Sequence, residues 1–137
     1  YIAPQQIETI LGGDMFIEQV AVIGNNRNYV TAIIAPNIEA IKGYAEQNGI
    51  KYEYVDELMD NPQICKMMEE RIANLQKDMA PYEKIKKFRM IKRGFTIESG
   101  ELTSTLKLRR AVILQNYAAM IEEMYNPVQG PLGGYAK

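Results

Sequence analysis

The residues best suited to chemistry stand together in Gly100-Glu101-Leu102-Thr103-Ser104-Thr105-Leu106-Lys107-Leu108-Arg109-Arg110. A glycine leads into hydroxyl-rich backbone, and three cations arrive just ahead of an apolar run at Ala111, Leu114, Ala118, Ile121 and Tyr125. That spacing predicts a helix. Thr103, Ser104 and Thr105 are cap formers, so the expected helix start lies within a residue or two of Lys107. A helix N-terminus carries partial positive charge and ordinarily recruits acids. Crowding Lys107, Arg109 and Arg110 there makes sense if an anion, most simply a phosphate, visits that end. The plainer reading is three solvated cations on an exposed helix start.

A second basic cluster, Tyr82-Glu83-Lys84-Ile85-Lys86-Lys87, combines ammonium groups with an aromatic ring. It suits a nucleotide lip, with cations for phosphates and a ring face for stacking on a purine. It reads as well as an ordinary solvated edge. Gly24-Asn25-Asn26-Arg27-Asn28 admits a phosphate cradle, but a turn between strands explains it with fewer assumptions.

Composition removes many alternatives. The 137 residues amount to one domain, and 47% hydrophobic with 24% charged residues suits a soluble fold with a real core. A net charge of −1, with the cations scattered over more than one stripe, speaks against nucleic-acid binding. The sequence has no histidine and one cysteine, Cys65, so a zinc site, a Ser-His triad and an internal disulfide framework are excluded within it. Cys65 and the methionines read as core filling. No apolar stretch is long enough to span a bilayer, and a reducing cytoplasmic setting is the expectation.

The elements that must position these clusters can be read from caps and periodicity. Pro4 opens a short helix that Gly12-Gly13-Asp14 stops. Residues 18–23 and 29–35 form an expected antiparallel hairpin, apolar at nearly every position and so covered on both faces. Asn37 caps a helix from Ile38 to Asn48, and a polar stretch runs from Lys51 to Asp60. Asn61-Pro62 opens the strongest helix, with Ile64, Met68, Ile72, Leu75 and Met79 inside and Glu69, Glu70 and Arg71 outside. Ala80-Pro81 breaks it ahead of a third strand at Phe88–Ile91, and residues 94–99 are a loop or a short strand. The fold class is α+β: a small three-stranded sheet, antiparallel hairpin plus one further strand, with helices packed on it. Residues 1–125 make the domain and 126–137 a mobile tail.

The stretch Glu-Leu-Thr-Ser-Thr-Leu-Lys-Leu-Arg-Arg, from Glu101 to Arg110, resembles the catalytic-lysine motif of AMP-forming acyl-CoA synthetases, in its long-chain fatty acid version. A proline is commoner where Ser104 stands, a change that loosens the loop but removes no reacting group. Pro4, Ile7 and Glu8 resemble the end of the superfamily's hinge motif. Its first half would lie ahead of Tyr1, so the sequence is expected to be a piece of a longer protein. Tyr82, Lys84 and Lys86 match positions that in the superfamily approach the nucleotide part of coenzyme A, although Ile85 stands where a proline is often found. The resemblance runs from Tyr1 to about Tyr125.

This resemblance implies the C-terminal domain of a long-chain fatty acid–CoA ligase. ATP, a fatty acid and coenzyme A would be substrates of the intact enzyme, and Mg2+ would be held by a large N-terminal adenylation domain of the same chain. Lys107 would serve acyl-adenylate formation, after which the domain would rotate and present a coenzyme A-binding face. The isolated piece would be inactive and bind none of these tightly. A peripheral membrane contact of the intact enzyme, the acyl chain length and the roles of Arg109 and Arg110 stay open. The competing expectation is a stand-alone regulatory or ligand-binding α+β module that uses the hairpin sheet to oligomerise. It accounts for the fold but not for cations crowded at a helix start.

Overall fold

Two neighbouring strands that are apolar on both sides need cover on both sides, and the fold supplies it. The computed structural model describes residues 2–126. β1 (Ile17–Ile23) pairs antiparallel with β2 (Val30–Pro36), setting Val20 opposite Ile34 and Val22 opposite Ala32. β3 (Ile85–Met90) then joins β2 in parallel, with Phe88 opposite Ala32, giving the order β1-β2-β3. The third strand therefore begins three residues before its expected start. A parallel partner requires a crossover, which α2 (Ile38–Gln47) and α3 (Pro62–Leu75) provide.

Side chains alternate between two cores. Val20, Val22, Ala32, Ile34, Phe88 and Met90 pack against Ile7 and Leu11 of α1 (Pro4–Gly12), Ile41 of α2, and Ile64, Met68 and Ile72 of α3. On the opposite face Ala21, Ile23, Ile33 and Ala35 meet Phe95, Leu102 and two short helices. These are α4 (Arg110–Asn116) and α5 (Ala118–Tyr125), which contribute Ile113, Ile121 and Met124. Every residue of central β2 is buried. The expected caps form: the Asn37 side chain accepts from the Ala40 amide, and that of Asn61 from the Gln63 and Ile64 amides. Each such cap is worth about 1 kcal/mol.

Several sequence expectations change. The final helix starts at Arg110 and breaks at Tyr117; Leu114 and Ala118 are exposed, while Ile113, Ile121 and Met124 face inward. Residues 111–114 are all apolar and fit more than one helical phase, and the phase adopted buries the bulky Ile113. The polar stretch before α3 contains a 3-10 turn, Val55–Asp60, that buries Leu58 and Met59. Met79 lies beyond the end of α3 yet still packs on the first core. Arg71 is not simply outside. Its Nε reaches both Asp14 oxygens at 3.0 and 2.9 Å, and its guanidinium lies 4.7 Å over the Phe16 ring. Of the expected tail only Asn126 is described, where its amide donates to the Glu122 carbonyl at 2.7 Å; residues 127–137 lie outside the described residues.

β1 and β3 are edge strands, and exposed edges leave backbone groups to satisfy. At Val22 the amide donates to Glu8 Oε2 and the carbonyl accepts from Arg110 Nη1, both at 2.8 Å. At the start of β3 the Gln76 amide serves Ile85 in the same two-sided way, at 3.1 and 2.8 Å.

Candidate functional site

Lys107 does not begin a helix. Thr103 is instead the pivot of a tight turn, its amide donating to the Lys107 carbonyl and its own carbonyl accepting from Leu106, both at 2.8 Å. The Thr103 hydroxyl accepts from the Lys107 amide at 3.1 Å. Leu102 and Leu108 form an antiparallel bridge at the base. Leu106 adopts φ 65°, a left-handed conformation that costs a leucine about 1 kcal/mol. The helix begins three residues later, at Arg110, and Arg109 at its N-cap makes no side-chain cap bond.

Below the turn lies a buried carboxylate. Glu101 is 5% exposed and accepts from Ser99 Oγ at 2.9 Å and from Asn116 Nδ2 at 3.0 Å. Its carbonyl also takes the Arg109 amide at 2.8 Å. Burial, with the Glu101 carboxylate beside it, pushes the Tyr117 hydroxyl pKa above its ordinary value, so that ring stays neutral behind the turn. Gly100 at φ 81° makes the bend that brings Glu101 inward.

The three cations of the motif have separate fates. Arg110 pairs with Glu8. Lys107 and Arg109 are exposed, and among the described residues neither forms an ion pair. Lys107 and Leu106 line an open groove of about 710 Å³ whose other wall carries Gln5, Glu8 and Thr9 of α1. The two stretches singled out at the sequence level, around Glu8 and around Lys107, thus face one another across β1.

The Tyr82 cluster sits elsewhere. Tyr82 is 65% exposed on a 3-10 turn, Pro81–Glu83, and borders a cleft of about 360 Å³ with the Gly24–Tyr29 connection between β1 and β2. Lys84 follows that turn and is half-buried. Lys86 is exposed, but its ammonium donates back to the Pro81 carbonyl at 3.0 Å. Lys87 lies 5.5 Å over the Tyr29 ring. Of Tyr82, Lys84 and Lys86 only Tyr82 lines that cleft, Lys84 and Lys86 flank the first residue of β3, and Lys107 belongs to a different groove. Among the described residues none lines both. Among the described residues no group of three or more His, Cys, Asp or Glu side chains is placed to hold a metal ion, and no helix is long and apolar enough to cross a membrane.

Residues 2–129 match the family model of the AMP-binding enzyme C-terminal domain. The chain belongs to that family. Its relatives include the peroxisomal long chain acyl-CoA synthetase 7 of Arabidopsis thaliana, 30% identical over 96% of this chain and 20% of that protein. A long-chain-fatty-acid–CoA ligase of Mycobacterium tuberculosis is 29% identical over 91% of this chain and 21% of its own length. The chain thus spans about a fifth of the curated relatives it matches. Among solved structures, the adenylation domain of a carboxylate reductase from Mycobacterium chelonae superposes with a TM-score of 0.68 at 28% identity, covering 90% of this chain and 18% of that one. The adenylation and carrier didomain of a Segniliparus rugosus carboxylic acid reductase, solved with AMP, gives 0.74 at 22% identity over 92% and 16% of the two chains, a likeness of fold.

For this AMP-binding enzyme C-terminal domain, sequence reasoning missed the Glu8–Arg110 pair, buried Glu101 and the Gln76 clip. The first joins residues 102 positions apart, and its only sequence-level signal is that both partners lie inside motifs. Glu101 had a weaker signal, a carboxylate set between a glycine and a leucine.

Proposed function

We propose that this domain is the mobile C-terminal part of a long-chain fatty acid–CoA ligase, and that Lys107 serves its adenylation half-reaction. The observation that carries the reading is an exposed ammonium, without an ion-pair partner among the described residues, on a turn with little slack at the rim of a groove. In adenylation a carboxylate oxygen attacks the α-phosphorus of ATP, the new O–P bond forms, and pyrophosphate leaves. Two anions must meet for this to happen. A positioned ammonium offsets their repulsion and stabilises charge that develops on the phosphoryl oxygens. Lysine fits this task as a compact point charge on a flexible stem. The ATP pocket, the fatty acid tunnel and any magnesium ligands belong, on this reading, to a large N-terminal domain, and the isolated C-terminal domain is inert.

In the second half-reaction the coenzyme A thiol displaces AMP and forms the thioester. We assign Tyr82, Lys84 and Lys86 to the nucleotide part of coenzyme A, with the ring for stacking and the ammonium groups for phosphate. Among the described residues the Lys107 groove and the Tyr82 cleft share no lining residue, which supports a domain that shows one face and then, after rotation, the other.

The test is Lys107→Ala in the intact protein. Pyrophosphate release from ATP and a long-chain fatty acid is expected to fall on the order of 10²–10³-fold. Thioester formation from supplied acyl-adenylate is expected to persist. Equal loss of both half-reactions would refute the assignment.

A further inference from the structure

We propose that Glu8 and Arg110 are positioning residues for adenylation: their clasp on the free edge of β1 fixes the Lys107 turn relative to α1. The inference rests on the role given to Lys107 above. The Glu8 carboxylate accepts the Val22 amide at 2.8 Å and both terminal nitrogens of Arg110, at 2.8 and 3.1 Å. Arg110 Nη1 donates as well to the Val22 carbonyl at 2.8 Å. The two side chains are 12% and 29% exposed, so these charge-assisted bonds are shielded from much of the solvent that weakens surface pairs.

The clasp joins parts that otherwise belong to different layers. α1 packs on one face of the sheet and α4 on the other, and Val22 lies at the edge between them. From Arg110 back to Lys107 the chain has little slack. Arg109 is held by its amide on the Glu101 carbonyl, and Leu108 by its bridge to Leu102. A displacement of α1 along β1 therefore carries Arg110 with it, and the Lys107 turn follows. Positional errors of about 1 Å at a reacting centre cost about 10²-fold in rate. A guanidinium is suited to this use because it spans the carboxylate and the strand carbonyl together, which an ammonium does not.

Two substitutions in the intact protein test this. Glu8→Gln keeps an acceptor for the Val22 amide but removes the charge, and Arg110→Lys keeps a charge but not the fork. Each is expected to lower kcat for pyrophosphate release about 10- to 100-fold, with KM for ATP unchanged and thioester formation from supplied acyl-adenylate retained. Melting temperature is read alongside. Loss of both half-reactions in step with melting temperature overturns the proposal, and so does unchanged pyrophosphate release. If Glu8→Gln fails to fold, Arg110→Lys decides by the same two assays. Lys107→Ala, run in parallel, separates the claims. If it spares adenylation, the reading of Lys107 falls; if it abolishes adenylation while both clasp variants adenylate normally, only the positioning role falls.

Discussion

The turn around Lys107 and the lip from Tyr82 to Lys87 carry similar charge but are built differently. In the turn the bonding is done by neighbours: the Thr103 hydroxyl takes the Lys107 amide, the Glu101 carbonyl takes the Arg109 amide, Arg110 ties the helix that follows to Glu8, and Lys107 is left without an ion-pair partner among the described residues. In the lip the cations serve locally themselves, Lys86 on the Pro81 carbonyl and Lys87 over Tyr29. On the roles proposed above, the difference fits a simple rule: a charge aimed at one bond in a transition state is best served by rigid backbone and a head group not engaged elsewhere. A surface that gathers phosphate needs charge density and tolerates side chains that move.

Breaking the support of each region in turn is the strongest way to test that contrast. Glu101→Ala removes a buried carboxylate from two donors and should cost about 2–3 kcal/mol by denaturant titration, with adenylation reduced more than coenzyme A use. Gln76→Ala leaves both backbone groups of Ile85 without that partner and should cost about 1–3 kcal/mol, with the opposite selectivity: a higher KM for coenzyme A and near-normal adenylation. If both variants damaged both half-reactions alike, the two regions would not be functionally distinct. Replacing Lys84 and Lys86 together by alanine should raise the KM for coenzyme A about tenfold, equivalent to about 1.4 kcal/mol, without moving the KM for ATP. A shift in ATP alone would transfer the lip to the other substrate. The smallest effect is expected at Leu106→Gly. Glycine tolerates the left-handed backbone, so strain is relieved while the turn loses stiffness. The melting point should move by no more than the equivalent of about 1 kcal/mol, and adenylation should nevertheless slow; an unchanged rate would show that stiffness at this turn is not needed.

Much of this architecture is legible locally. Asn37 and Asn61 cap where a sequence reader places them, because a cap is a bond between residues two or three apart. The hairpin and its two covered faces follow from strands that are apolar at nearly every position. The start of the last helix was misplaced for a physical reason: a threonine hydroxyl that accepts an amide a few residues ahead can cap a helix or close a turn, and the local residues do not say which. Long-range partnerships left still less trace. The parallel pairing of β3, the Asp14–Arg71 pair and the Glu8–Arg110 clasp each join chain segments that only the folded topology brings together. In the candidate site, Lys107 was legible as a residue type in a motif, whereas the groove it borders and the carboxylate beneath it were not.

The side chains that occupy Val22 and Ile85 have a further consequence. A sheet of three strands with bare margins would invite another copy of itself, or an unfolding neighbour, to add a fourth. Glu8, Arg110 and Gln76 already occupy backbone positions that such an intruder would need. If the domain moves as proposed, releasing one surface before it reaches the next, these occupied edges would let it stand briefly alone in a crowded cell without seeding a fibril.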